Sequence, residues 1–127
     1  MNWAEQVVNE FGRSLGLHEL SFDAHASIRL DAADNTGIGL FLITRPPQQE
    51  VVVYRSIPTT YLSPAQYRAA LQSVNFRNPY SWPLQATCDQ KELMIAMRIP
   101  ERSFMVSTLE KTLNDLALFF EKILQKT

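Results

Sequence analysis

Residues 38–57 read Ile38-Gly39-Leu40-Phe41-Leu42-Ile43-Thr44-Arg45-Pro46-Pro47-Gln48-Gln49-Glu50-Val51-Val52-Val53-Tyr54-Arg55-Ser56-Ile57. Proline has no N–H to give to a ladder, so Arg45 to Gln49 reads as a loop between two strands. Ile38 to Thr44 is apolar on both parities, and Val51 to Ile57 nearly so. Such runs belong to strands covered on both faces, or covered on one and presented to a partner on the other. Gly37 and Gly39 fit a turn and close strand packing better than a phosphate site.

Upstream, Ala26, Ile28 and Leu30 alternate with polar neighbours, as in a half-buried strand. Asp34-Asn35-Thr36-Gly37 supplies turn residues before the quoted run. About residues 2–15 form an amphipathic helix whose stripe is Trp3, Ala4, Val7, Val8, Phe11 and Leu15, with Gly16 placed to end it.

Downstream, Ser63-Pro64-Ala65-Gln66 combines an N-cap serine, a proline at the first helical position and a glutamine three residues after the cap. That helix runs to about Asn75, with Tyr67, Ala70, Leu71 and Val74 on one side. Asn78-Pro79 and Trp82-Pro83 break the chain next. Leu84 to Cys88 and Leu93 to Ile99 are strands around a turn at Asp89-Gln90. A last helix begins near Ser107, where Ser107 and Glu110 make a capping-box pair. Its apolar face is Leu109, Leu113, Leu116, Ala117, Phe120, Ile123 and Leu124, with Phe119 at the edge and Leu118 nearly opposite. The order α-β-β-β-α-β-β-α implies an α+β domain with a twisted antiparallel sheet flanked by helices.

The chain has 127 residues, the length of one ordinary domain. Its formal net charge is −1, from 12 Lys and Arg against 13 Asp and Glu, and no basic run appears. Phosphate neutralisation needs a basic face, so composition argues against a nucleic-acid binder. Cys88 is the only cysteine, which excludes an internal disulfide. With an N-terminus that lacks an unbroken apolar stretch, this places the chain in a reducing cytoplasm. No segment approaches the roughly 20 apolar residues of a membrane span.

The run Leu15-Gly16-Leu17 followed by Leu20-Ser21-Phe22-Asp23, the strand Leu93-Met94-Ile95-Ala96-Met97-Arg98-Ile99-Pro100 and the leucine-rich final helix resemble the small type III secretion chaperones of the CesT, or class I, type. The resemblance covers nearly the whole chain and rests on apolar positions rather than on an invariant chemical group. Met1-Asn2-Trp3 and Glu101-Arg102-Ser103-Phe104 look like the SycN-type subgroup, chaperones of a secretion gatekeeper often paired with a second, different chaperone. The resemblance implies a homodimer, or a heterodimer with a paralogous chaperone. The helix after Ser63 and the strand that follows it would form the interface, with Tyr67, Leu71, Val74, Phe76 and Leu84 as candidates. It also implies a secreted effector or gatekeeper held in extended form. The first helix and adjoining sheet would supply the client grooves, through Val7, Val8, Phe11, Ile28, Leu30, Leu40 and Leu42, some of which must belong to the core.

Residue by residue, no catalytic chemistry is expected. There is no G-x-S-x-G, P-loop or G-x-G-x-x-G pattern. His18, His25, Cys88 and Asp23 lack the short paired spacing of a zinc site. Asp31-Ala32-Ala33-Asp34-Asn35 lacks the EF-hand order and reads as a hairpin turn. Cys88 lies in an apolar strand and is expected to be an inert core thiol. No cofactor is implied. Two other readings stay open: a small-ligand-binding α+β domain, and a regulatory adaptor for a non-secreted partner.

Overall fold

The structure, a computed structural model, describes residues 3–17, 20–24, 26–31, 36–44, 49–74, 82–89 and 91–125. The expectations for His18, His25, the Asp34-Asn35 turn, the Pro46-Pro47 loop and Phe76 lie outside them. The elements in order are α1 (Trp3–Ser14), β1 (Ser27–Asp31), β2 (Gly37–Ile43), β3 (Glu50–Pro58), α2 (Pro64–Ser73), β4 (Leu84–Cys88), β5 (Glu92–Pro100) and α3 (Val106–Leu124). The expected α+β order is therefore present. All strand pairs are antiparallel, and the sheet order is β1-β2-β3-β5-β4.

One cross-strand row shows how the sheet is covered. Ile28, Leu40, Val53, Met97 and Leu84 lie side by side across all strands, and each is buried. They join one apolar cluster with Ala4, Val8 and Phe11 of α1, Ala70 of α2, and Leu109, Leu116, Phe119, Phe120 and Ile123 of α3. The helices thus share one face of the sheet. The next row, Arg29, Gly39, Tyr54, Ala96 and Gln85, belongs to the opposite face because successive side chains alternate. Val52 and Tyr54 on that face are buried as well. The two-sided apolar pattern of β3 is thereby accounted for.

Both glycines of β2 have a packing reason. A Cβ on Gly39 would lie 2.0 Å from Cζ of Tyr54, whose ring crosses the strand there. A Cβ on Gly37 would lie 2.5 Å from Nη2 of Arg29, which reaches across it to Ser56 and Glu92.

Local signals explain the ends of the helices. Gly16, at φ +76°, closes α1: its N–H donates to the Arg13 carbonyl, and the Leu17 N–H donates to the Gly12 carbonyl. That pair of bonds is a Schellman motif. At α2 both arms of the Ser63–Gln66 capping box are formed.

At α3 the expected start is corrected. The helix begins at Val106 with Met105 as its N-cap and no side-chain cap bond, so Ser107 and Glu110 make no capping box. Its buried stripe is also rotated from the expected one. Thr112, Asp115 and Phe119 are inside, whereas Leu124 is 44% exposed. Thr112 tolerates burial because its hydroxyl donates to the Thr108 carbonyl, and Asp115 takes a 3.4 Å contact from Lys111. Leu15, expected in the α1 stripe, is exposed beside Gly16.

Candidate functional site

The candidate client residues divide by depth. Val8, Phe11, Ile28 and Leu40 are buried in the cluster under the helices. Val7, Leu30 and Leu42 are only half-buried and pack at its margin. Among the candidate interface residues, Leu84 is buried, Tyr67 and Val74 are half-buried, and Leu71 is 43% exposed.

Tyr67 and Leu71 belong to an open cleft of about 480 Å³, which Leu62, Ser63, Pro64 and Arg68 complete. Tyr61, just before it in the chain, is also exposed. This cleft is built by the capping box. Ser63 and Pro64 fix where α2 starts, and Gln66 Nε2 ties it to α3 through the Leu124 carbonyl.

Cys88 is exposed, which corrects its assignment to the core. It closes an edge strand rather than an inner one, so its thiol donates to the Asp89 carbonyl at 3.1 Å. The Tyr67 hydroxyl shares a hydrogen bond with it, and that bond, helped by desolvation, pushes the phenol above its ordinary pKa.

The backbone ladder fixes which groups each sheet edge offers. The Leu42 N–H donates to the Ala26 carbonyl, so Ile28 and Leu30 bond inward to β2 and Ser27, Arg29 and Asp31 face outward. Ser27 is already occupied: Asp23 N–H donates to its carbonyl, and its own N–H donates to the Asp23 carboxylate. At the other edge, the Asp89 N–H donates to the Glu92 carbonyl, so Gln85 and Thr87 bond inward to β5. Leu84, Ala86 and Cys88 therefore present their N–H and C=O groups outward.

On the sheet face away from the helices, charges are matched internally. Arg29 bonds Glu92 at 2.7 Å and Asp31 at 2.9 Å, which raises its already high pKa. Arg98 meets Glu50 at 3.7 Å and donates to Gln85. A further cleft of about 320 Å³ at the start of α3 is lined by Trp82, Ser107, Thr108, Lys111 and Thr112, with no carboxylate, imidazole or thiol among them. Among the described residues, no group of three His, Cys, Asp or Glu could hold a metal ion, and no helix is long and apolar enough to cross a membrane.

Sequence reasoning placed Tyr67 and Leu71 on one surface but missed that Leu62, Ser63, Pro64 and Arg68 complete a cleft with them. It named β4, with Leu84, as an interface strand by resemblance but did not place that strand at a sheet edge. The signal for that edge was present in Leu84-Gln85-Ala86-Thr87-Cys88, a strand without the charge or proline that usually protects an edge.

Three solved structures share the fold. The ExsC–ExsE complex matches with a TM-score of 0.71 at 16% identity, over 93% of this chain and 88% of that one. The Yersinia pestis type III secretion chaperone SycH, in complex with a stable protein fragment, matches with a TM-score of 0.70 at 15% identity, over 96% and 99%. The HopA1–SchA chaperone–effector complex matches with a TM-score of 0.71 at 16% identity, over 97% and 94%. No curated protein matches the sequence. A family model, described as the Tir chaperone protein (CesT) family, matches residues 6–121, and the chain belongs to that family.

Proposed function

We propose that the chain is a type III secretion chaperone that binds the N-terminal segment of a secreted effector or gatekeeper protein and keeps it soluble and export-competent. The observation that carries this reading is the family match over residues 6–121. The fold is shared with SycH and with a chaperone–effector complex, which agrees with it. The protein is not an enzyme, because CesT-type proteins are non-catalytic. It acts in the cytoplasm, where an unfolded client would otherwise aggregate. The SycN-like ends of the sequence make a gatekeeper the favoured client and a paralogous chaperone a candidate second subunit.

The client lies extended against α1 and the neighbouring part of the sheet, with its apolar side chains in grooves. Val7, Leu30 and Leu42 are the accessible members of the original set. The subunit interface is on α2 and β4, with Tyr67, Leu71, Val74, Phe76 and Leu84.

Co-expression with a candidate secreted protein tests the reading. A stable complex that is lost when the client's N-terminal segment is deleted is the expected result. A partner that is not secreted, or that binds through a folded domain, would make the chain an adaptor instead. Light scattering tests the dimer. A monodisperse monomer at tens of micromolar, unchanged by any co-expressed chaperone, overturns it.

A further inference from the structure

We propose that the turn from Asp23 to Ser27 is a latch that closes the β1 edge of the sheet against a strand of a second molecule. The proposal goes beyond the function above, because it concerns the sheet edge that an interface on α2 and β4 leaves free.

A ring of short bonds forms the latch. The Asp23 N–H donates to the Ser27 carbonyl at 2.8 Å, and the Ala26 N–H donates to the Asp23 carbonyl at 3.0 Å. The Asp23 carboxylate accepts from the Ser27 N–H at 3.1 Å and from the Ser27 hydroxyl at 3.2 Å. Closing this ring puts Ala26 at φ +57°, in the left-handed region that a residue with a Cβ avoids. A residue in such a conformation persists only where its surroundings hold it there. Here the holding bonds are those to Asp23, together with the Leu42 N–H on the Ala26 carbonyl.

What the latch closes follows from the ladder. Ser27, Arg29 and Asp31 are the residues of β1 whose backbone groups point away from β2. Asp23 engages both backbone groups of Ser27, so it stands where a residue of an added strand would stand. Among the described residues, no backbone group bonds those of Arg29 and Asp31. The latched edge therefore offers two residues, and very short edges resist pairing. Release changes its length at the other end. The Leu42 N–H to Ala26 carbonyl bond already forms the next rung of the β1–β2 ladder. Once Ala26 relaxes to an extended conformation, β1 runs on past it, and Ser27 joins the free edge. Molecules that pair through β4 and through β1 as well would add to one another without closure. The latch stops that growth.

Two substitutions open the latch from different ends. Asp23→Ala removes the accepting carboxylate. Ala26→Val leaves Asp23 in place but puts a β-branched residue where φ is positive, which such residues do not tolerate. Asp23→Asn is the control, because its side-chain oxygen still accepts the Ser27 bonds without a charge. Light scattering should show both opened variants growing into particles larger than the wild type, with the circular dichroism of the fold retained, while Asp23→Asn keeps the wild-type size. Residue-resolved amide exchange supplies the second measurement. In the wild type the Ser27 amide should exchange about tenfold more slowly than those of Arg29 and Asp31. In the enlarged particles the Arg29 and Asp31 amides should become protected.

Equal exchange at Ser27, Arg29 and Asp31 in the wild type overturns the latch. So does wild-type size in either opened variant that retains the fold. Growth of Asp23→Asn to match Asp23→Ala would assign the effect to charge and overturn it too. Particles in which Arg29 and Asp31 stay unprotected would place the new contact away from β1, and the proposal would fall.

Discussion

At the scale of single residues, the glycines of β2 are the most constrained positions. Gly39 leaves room for the Tyr54 ring, which is buried and lies 6.2 Å from the Phe41 ring centroid. Gly39→Ala must push that ring aside, so it should cost about 1–3 kcal/mol, the usual range for overpacking. The same change in a Tyr54→Ala background should cost much less, because the obstructing atoms are gone. Urea titrations of the four proteins in this cycle measure the coupling. Equal costs in both backgrounds would show that the ring is not what excludes a side chain. Ala26 presents the opposite case, a non-glycine at φ +57° before β1. Glycine removes a left-handed strain of about 1–2 kcal/mol but adds about 0.5–1 kcal/mol of unfolded-chain entropy. Ala26→Gly should therefore stabilise slightly, by about 0.5 kcal/mol in the same titration. The glycines of β2 were visible in the sequence as strand glycines. What they made room for was not, because Tyr54 and Arg29 reach them only through the cross-strand register.

At the scale of elements, legibility followed how local the determining chemistry was. The α2 start was legible because the serine, proline and glutamine that fix it are contiguous, and both bonds of its box form. The α1 end was legible because Gly16 alone supplies the left-handed turn. The α3 face was not, because its rotation is set by what packs on it. An apolar wheel placed Leu124 inside and left Thr112 out, but a threonine can satisfy its own hydroxyl through the preceding turn. Leu116→Ala should therefore cost about 2–5 kcal/mol, and Leu124→Ala about 0.5 kcal/mol or less. Thermal melts of the two variants would refute the observed rotation if their order were reversed. Cys88 was misplaced for a related reason: a short apolar strand looks the same in sequence whether central or at an edge. The β4–β5 turn carries a pH-dependent contribution. The Asp89 carboxylate accepts from the Lys91 N–H at 2.7 Å and the Glu92 N–H at 2.8 Å, which hold its pKa below the ordinary value of 3.8. A carboxyl depressed by folding stabilises the native state above its unfolded pKa, and that contribution is lost as pH falls through the folded value. Asp89→Asn should flatten the fall in stability below about pH 4 and leave the slope near neutrality unchanged. Acid titration of the folded fraction reads both.

At the scale of the whole molecule, the helices crowd one face of the sheet, and of the client candidates only Val7, Leu30 and Leu42 lie at the margin of the cluster beneath them. Any apolar side chain near α1 can belong to the core, to a groove, or to both in succession, and the two roles make different forecasts. A buried side chain cut to alanine loses packing in the folded state whether or not a client is present. A groove side chain loses its contact only when the client arrives. Val8, Phe11, Ile28 and Leu40 are buried, so Phe11→Ala and Leu40→Ala should each cost about 2–5 kcal/mol of stability. Val7, Leu30 and Leu42 are half-buried at the margin of the cluster. Their alanine variants should lose less stability than the buried set, yet at least two of them should weaken binding of a client N-terminal peptide by about 1 kcal/mol or more. The comparison must be made within one set of proteins, because a destabilised chaperone also binds poorly when part of it is unfolded. Thermal melts and peptide titrations on the same alanine variants, at a temperature where each is fully folded, separate the two effects. If loss of binding follows loss of stability across the whole set, these side chains serve only the core. The client would then have to be held by surfaces away from α1, and the exposed Leu15 and Leu17 at the end of that helix would be excluded along with them by the same titration run on their alanine variants.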